Sequence, residues 1–146
     1  MILSNSSKMK PTGIKILFLL FALLVTGSLT LSAQTKQVVK TISPVESAGM
    51  IKKNAKNAKF IILDVRTPAE YTAGHLANAV NIDFNATDFS QKIGKLDKGK
   101  TYLVYCRSGH RSAGAVEIMK AQSFQSIYNL DGGITKWTGE NNPVVK

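Results

Sequence analysis

The sequence is poor in cysteine and histidine. Cys106 is the only cysteine among 146 residues, and His75 and His110 are the only histidines. A single cysteine cannot form an intramolecular disulfide, so Cys106 is either an inert buried thiol or a reactive one. Because so few nitrogen and sulfur ligands are present, we expect no metal site.

Acidic residues are also scarce. The sequence has nine of them against 19 lysines and arginines, which gives a net charge of +10. The lysines are spread along the chain rather than interleaved with aromatic residues, and this favours a solvated basic surface over nucleic-acid binding. We therefore expect no nucleic-acid partner, although a positive field would help to recruit small anions.

The sequence contains no apolar run of the roughly 20 residues that span a bilayer. Its longest apolar run, residues 16–31, is diluted by threonine, serine and glycine, follows Lys8, Lys10 and Lys15, and leads to Ala33. This arrangement is typical of a signal peptide. We expect residues 1–33 to be cleaved and the protein to be exported to the periplasm or secreted. A retained membrane anchor is the alternative.

Removal of 33 of the 146 residues leaves 113, enough for one domain and too few for two. Three lysines leave with the segment, so the net charge falls from +10 to +7. We expect a lead-in at 34–41, one domain at 42–139 and a tail at 140–146, in a protein that is a monomer and meets the membrane only through its signal segment.

Predicted strands and helices alternate along the mature chain. Capping boxes at Ser43 and Thr67, each followed by proline and glutamate, mark two helix starts. The first of these helices is expected to bury Val45, Ala48 and Ile51. The expected strands are 36–41, 60–65, 79–82, 102–105 and 126–130. The expected helices are 43–54, 67–71, 87–93, 112–122 and 134–138. The alternation predicts an α/β fold: a doubly wound, mostly parallel five-stranded sheet with helices on both faces.

The stretch around Cys106 predicts an anion site. A strand ends at this cysteine, and a short loop and a helix follow. In that order, successive backbone N–H groups point toward one concavity at a helix N-terminus. A thiol in such a concavity should be largely ionised to the thiolate. Arg107 and Arg111 add two guanidinium groups, which an inert core thiol does not need. The pattern therefore favours a sulfur nucleophile for an anionic substrate.

Loop length separates two classes of cysteine enzyme that could use such a site. Cysteine phosphatases and arsenate reductases of this kind need C-x5-R, a loop wide enough for a tetrahedral phosphate. Four residues separate Cys106 from Arg111 here, which gives C-x4-R. A phosphatase or arsenate reductase is therefore the less favoured enzyme.

Several linked motifs then resemble one family. They are L-D-V-R at 63–66, E-Y at 70–71, G-H-L at 74–76, A-V-N-I at 79–82, Y-C-R-S-G-H-R-S at 105–112 and L-D-G-G at 130–133, with Trp137. In order and spacing they resemble the rhodanese-like domain family from about Ile42 to Trp137. The resemblance implies a thiosulfate-type sulfurtransferase that needs no cofactor. Its cysteine takes sulfur from a small anionic donor as a persulfide and passes it to a thiol or cyanide.

The resemblance also implies roles for individual residues. Cys106 is the expected nucleophile. The expected substrate-binding residues are Arg107, Ser108, Gly109, His110 and Arg111. Asp64 and Arg66 are expected to form a supporting polar pair, and Ser112 is expected to donate to the sulfur or to cap the helix.

One departure and two alternatives accompany the resemblance. Ser123 stands where the family usually has glycine, so it is strained if that position needs a positive φ. A non-catalytic binding module with the same fold is one alternative, although such modules often lack the cysteine. A persulfide carrier that serves a partner protein is the other.

Overall fold

The computed structural model of the protein describes residues 36–146. The signal peptide expected at 1–33 lies outside the described residues, as does the start of the lead-in. Within the described part of the chain, no helix is long and apolar enough to cross a membrane.

Strands and helices alternate as expected. The strands are β1 (Val38–Ile42), β2 (Phe60–Asp64), β3 (Ala79–Asn81), β4 (Thr101–Tyr105) and β5 (Ser126–Leu130). The helices are α1 (Pro44–Lys53), α2 (Pro68–Ala73), α3 (Phe89–Gly94), α4 (His110–Ala121) and α5 (Gly133–Gly139). The strands form one sheet in the order β1-β5-β4-β2-β3, and each neighbouring pair is parallel. The predicted five-stranded parallel α/β fold is confirmed.

Two apolar clusters flank the sheet, one on each face. Strand β4 contributes to both because its side chains alternate between the faces. Tyr102, Val104 and Cys106 belong to the cluster covered by α3 and α4, whereas Leu103 and Tyr105 belong to the cluster that contains Trp137. The alternation along β4 therefore directs the Cys106 side chain toward the helix that follows it.

Both predicted capping boxes are present. The Ser43 hydroxyl accepts from the Glu46 N–H at 3.2 Å, and the Glu46 carboxylate accepts from the Ser43 N–H at 2.9 Å. The expected burial of Val45 in this helix is wrong, since that side chain is 73% exposed. The first and fourth helix positions, Pro44 and Ser47, are buried instead. Val45 follows Pro44 by about 100° around the helix axis, so it faces the solvent.

The folded unit extends beyond the expected range of 42–139 at both ends. Strand β1 belongs to the sheet and pairs with β5 from Val38 to Ile42. In the tail, Val145 forms an antiparallel bridge with His75, with both backbone hydrogen bonds at 2.8 Å. The Trp137 Nε1–H also donates to the Pro143 carbonyl at 2.9 Å. The tail therefore packs on the domain, close to the carboxyl ends of the strands.

Helix α4 ends in a turn that forces Ser123 into the left-handed region, with φ of 66°. The Ser123 N–H donates to the Lys120 carbonyl, and the Phe124 N–H donates to the Met119 carbonyl, which is the Schellman pattern. We expect Ser123→Gly to raise the free energy of unfolding by about 0.5–1 kcal/mol, because glycine adopts this conformation without steric cost. Urea denaturation of the two proteins measures the difference.

Ala121→Gly is the matched control because Ala121 is exposed and is the last residue of the same helix. There glycine should lower the free energy of unfolding by about 0.5–1 kcal/mol. Equal losses of stability in both variants would show that Ser123 carries no strain.

Candidate active site

The loop after β4 brings Cys106 to the start of α4. Gly109 is the N-cap of α4 and has φ of 102°, so the chain reverses there and the helix begins at His110. The expected start at Ser112 is therefore two residues too late. Sequence pattern missed this because a glycine in the left-handed region, rather than a side-chain cap, begins the helix.

The Cys106 sulfur accepts a hydrogen bond from the backbone of its own loop. The Gly109 N–H donates to Sγ at 3.1 Å. Burial raises the pKa of the Cys106 thiol, but hydrogen bonds from the Ser112 hydroxyl and from the N–H groups of Ser112, Gly109 and Ser108 outweigh it, so the net pKa is lowered. The loop therefore favours the thiolate, which is the nucleophilic form of cysteine.

Cys106 is only 1% exposed, whereas the loop around it is not buried. Arg107, Ser108 and His110 are exposed, Gly109 and Arg111 are half-buried, and Ser112 is buried. Only the terminal atom of a donor or a small acceptor can reach a sulfur at this depth. Of the predicted site residues, Ser108, Gly109 and Ser112 contribute hydrogen bonds to the sulfur, and the roles of all of them in binding substrate stay predictions.

The Arg111 guanidinium is bound by a carboxylate that sequence reasoning treated only as a helix cap. Nη1 and Nη2 of Arg111 donate to the two Glu70 oxygens at 2.7 and 2.8 Å. Glu70 also accepts from the N–H and hydroxyl of Thr67. Hydrogen bonding by Arg111 lowers the pKa of Glu70 to about 2. The pair joins α2 to α4, so both Nη groups of Arg111 are already hydrogen-bonded to Glu70 in the absence of substrate.

The expected pairing of Asp64 with Arg66 is present at the end of β2. Nε and Nη2 of Arg66 donate to the Asp64 carboxylate at 2.6–3.0 Å, and Nη2 also donates to the Gly74 carbonyl at 2.8 Å. The guanidinium lies over the Tyr105 ring, 5.5 Å from its centroid. The pair therefore holds the end of β2 against β4 and the loop that begins at Gly74.

The first turn of α5 supports the cysteine loop from below. The Ile134 N–H donates to the Cys106 carbonyl at 2.9 Å, and the Thr135 N–H donates to the Arg107 carbonyl at 3.0 Å. Gly133 makes this approach possible, since a Cβ there would lie 2.4 Å from the Cys106 carbonyl oxygen. The sequence showed L-D-G-G only as one motif of the family resemblance, and its last glycine is what lets α5 approach the loop.

A groove of about 420 Å³ lies beside the loop. It is lined by Arg66, Glu70, Ala73, Gly74, Arg107, Ile134, Thr135, Thr138 and Val144. Val144 comes from the tail, so residues after the expected domain end form part of its wall. Within residues 36–146, no three His, Cys, Asp or Glu side chains are placed to hold a metal ion.

The hydroxyl of Ser112 gives the first test of the site. The Ser112 hydroxyl donates to the Gly109 carbonyl at 3.0 Å, and because a hydroxyl rotates it can donate to the thiolate instead, which lowers the pKa of Cys106. Removing it in Ser112→Ala should raise the thiol pKa, so the pH at which iodoacetamide alkylation reaches half its maximal rate should move upward. Ser108→Ala removes an exposed hydroxyl and keeps the N–H, so its midpoint should not move. Identical midpoints for Ser112→Ala and wild type would rule out this role for the hydroxyl.

Fold and loop together define a class: a parallel α/β domain with a buried, N–H-bound cysteine at the carboxyl end of a central strand. Residues 47–140 match the family described as Rhodanese-like domain. Since the match covers more than half of the sequence, the chain belongs to the rhodanese-like domain family, as its motifs indicated.

Individual relatives agree with this assignment. The chain is 38% identical over 106 residues to the tRNA uridine(34) hydroxylase of Cytophaga hutchinsonii, covering 70% of this chain but only 33% of that relative's length. It is 31% identical to the thiosulfate sulfurtransferase GlpE of Pseudomonas entomophila, over 67% of this chain and 84% of that protein. The rhodanese-related protein from Thermoplasma volcanium superimposes with a TM-score of 0.61 at 34% identity, covering 73% of this chain and 97% of that one. Sulfurtransferase is thus an activity named among its relatives.

Proposed function

We propose that the protein is a thiosulfate-type sulfurtransferase that carries sulfur as a persulfide on Cys106. The observation that carries the proposal is the Cys106 sulfur itself, which accepts the Gly109 N–H at 3.1 Å and whose thiol has a lowered pKa. The similarity to a thiosulfate sulfurtransferase supports the choice of donor. In this account the protein acts as a monomer on small molecules and needs no cofactor.

The first half-reaction moves one sulfur atom from donor to enzyme. The Cys106 thiolate attacks the outer sulfur of thiosulfate, a new S–S bond forms, and the donor's own S–S bond breaks to release sulfite. The N–H groups at the start of α4 then stabilise the terminal persulfide sulfur, which carries the negative charge. Arg107 is exposed at the mouth of the loop and has no ion-pair partner in the part of the chain that the structure describes, so it is suited to the sulfonate oxygens.

The second half-reaction restores the thiolate. Cyanide or a deprotonated thiol attacks the terminal persulfide sulfur and bonds to it, and the bond from that sulfur to Cys106 breaks. The electron pair of the broken bond returns to Cys106, so no external oxidant or reductant is needed. Linear cyanide and a thiolate both present a single reacting atom, which suits a sulfur in a residue that is 1% exposed.

The cysteine phosphatase is the weaker candidate for physical reasons. A phosphatase needs a free guanidinium to hold the equatorial oxygens of the phosphoryl group, whereas both Nη atoms of Arg111 bind Glu70. Only four residues separate Cys106 from Arg111. A non-catalytic binding module is also the weaker candidate, because binding without turnover does not require the lowered pKa of the Cys106 thiol.

The proposal is tested by steady-state kinetics. Purified protein should form thiocyanate from thiosulfate and cyanide, and double-reciprocal plots at several cyanide concentrations should be parallel, because a covalent intermediate separates the two substrates. Hydrolysis of p-nitrophenyl phosphate is the matched assay for the rival class and should stay at background. Thiocyanate at background with folded, reduced protein would overturn thiosulfate as the donor.

We further propose that the protein acts outside the cytoplasm after loss of residues 1–33. The support is sequence pattern alone: a basic start, an apolar run and small residues up to Ala33. Expression of the full chain in a bacterial host, followed by fractionation and intact-mass measurement, should yield a periplasmic protein that begins at Gln34. A full-length product in the membrane fraction would favour the retained anchor.

A further inference from the structure

The groove beside the cysteine loop combines an apolar wall with an unbalanced positive charge. Its charged residues are Arg66, Glu70 and Arg107. The first two are neutralised, because Arg66 pairs with Asp64 and Glu70 pairs with Arg111. Arg107 has no ion pair within residues 36–146, so the groove keeps one net positive charge.

Arg66, although its charge is neutralised, has N–H donors on Nη1 that its ion pair does not use. Arg66 is only 5% exposed, yet its hydrogen bonds to Asp64 and Gly74 involve Nε and Nη2 alone. Its Nη1 donates to no carboxylate or backbone carbonyl among the described residues. Nη1 is not among the buried unpaired side-chain atoms of the described residues, so it is accessible to solvent, and a guanidinium N–H that lines a groove is suited to a ligand carboxylate.

The remaining lining is apolar and leaves more room than the simplest substrates need. Ala73, Ile134 and Val144 form apolar wall, and the groove measures about 420 Å³. Thiosulfate and cyanide are far smaller than this, and a hydrocarbon wall contributes nothing to the binding of a sulfonate. The lining therefore fits a molecule that has both a carboxylate and a carbon chain.

We propose that this groove binds the sulfur acceptor and that the acceptor is a thiol carrying a carboxylate. The inference rests on the sulfurtransferase function proposed above and specifies its second substrate. Arg107 directly follows Cys106, and the Ile134 N–H binds the Cys106 carbonyl, so the groove begins at the loop that carries the persulfide. Sulfite has left by that stage, so Arg107 is free to bind the acceptor.

The transfer balances without a further reagent. The acceptor thiol loses its proton to solvent, and its thiolate forms a bond to the terminal persulfide sulfur. The bond from that sulfur to Cys106 breaks, which leaves a persulfide on the acceptor and a thiolate on the enzyme. The carboxylate stays in the groove throughout and orients the acceptor without taking part in the bond changes.

Val144 is a position at which the charge of the groove can be changed without altering the cysteine loop. Its side chain is 41% exposed and lines the groove, while the tail is held by backbone groups of Pro143 and Val145. We therefore choose Val144→Glu and Val144→Lys in the full chain, with Val144→Gln as the uncharged control of similar size.

Each variant is loaded with sulfur, and decay of the persulfide is followed against three thiols of similar size: 3-mercaptopropionate, 2-mercaptoethanol and 2-aminoethanethiol. Relative to Val144→Gln, the glutamate variant should raise the apparent KM for 3-mercaptopropionate about threefold and the lysine variant should lower it about threefold. The shifts should reverse for 2-aminoethanethiol, vanish for 2-mercaptoethanol and shrink in 0.5 M salt. For each thiol, the apparent KM of a variant is divided by that of Val144→Gln, so the intrinsic reactivity of the thiol, which is the same in both, cancels.

Two failures can be told apart. If wild-type protein forms the persulfide but the Val144 variants show no charge-dependent shift, the groove is not the acceptor site and the sulfurtransferase function stands. If wild-type protein forms no persulfide from thiosulfate or another sulfane donor, the proposed function fails and the acceptor proposal fails with it.

Discussion

Cys106→Ser is expected to reduce thiocyanate formation by at least about a thousandfold. A serine hydroxyl is not ionised near neutral pH, and it cannot form the persulfide through which sulfur must pass. The substitution changes one buried atom of a residue that is 1% exposed, so we expect a stability loss of about 1 kcal/mol at most. Initial rates and thermal denaturation of the same preparations measure both effects.

Ala113→Ser is the matched control, because it introduces the same side chain at an exposed position in the first turns of α4. Its rate should stay within about twofold of wild type. A Cys106→Ser protein that keeps more than a tenth of wild-type activity would exclude the persulfide on Cys106 as the obligatory intermediate.

Gly133→Ala is expected to damage the loop without altering any residue that touches substrate. The added Cβ would lie 2.4 Å from the Cys106 carbonyl oxygen and 2.7 Å from the Arg107 carbonyl carbon, and φ is 58°. Either α5 or the loop must shift, because the neighbouring atoms are backbone. We expect the free energy of unfolding to fall by about 2–4 kcal/mol, from left-handed strain and overpacking together. Chemical denaturation measures the loss.

Activity should fall more than tenfold in the same variant, because the Ile134 and Thr135 N–H groups would no longer hold the loop in place. Gly139→Ala is the control from the same helix, since a Cβ there meets nothing within 4 Å. Its stability should be unchanged or slightly higher. Wild-type stability and activity in Gly133→Ala would contradict the role assigned to this close approach.

Features with local causes could be predicted from the sequence. The alternation of strands and helices follows from short-range hydrophobic patterns and turn residues, and the capping boxes at Ser43 and Thr67 are read from four consecutive residues. The strain at Ser123 was also predictable, because the family resemblance marked a glycine position. The cysteine loop itself could be recognised because its residues are contiguous.

Features that depend on distant parts of the chain could not be predicted. The ion pair of Glu70 with Arg111 joins residues 41 positions apart. No local sequence pattern therefore shows that the Arg111 guanidinium is hydrogen-bonded to a carboxylate. The support of the loop by α5 and the wall that Val144 adds to the groove depend on how the chain end folds back onto the sheet. Of the residues that α1 was expected to bury, Ala48 and Ile51 pack against the core but Val45 does not, because the packing of the helix on the sheet decides which way its first turn faces.

The measurement that tests the account most directly is the intact mass of the protein after a single exposure to thiosulfate. Reduced mature protein is mixed with excess thiosulfate and desalted, and its intact mass is measured by mass spectrometry. The sample is then treated with cyanide and its mass is measured again, with Cys106→Ser in parallel. We predict a gain of one sulfur atom per chain that cyanide removes with release of one equivalent of thiocyanate, and no gain in the variant. An unchanged mass in folded, reduced wild-type protein, or an equal gain in Cys106→Ser, would contradict a persulfide on Cys106.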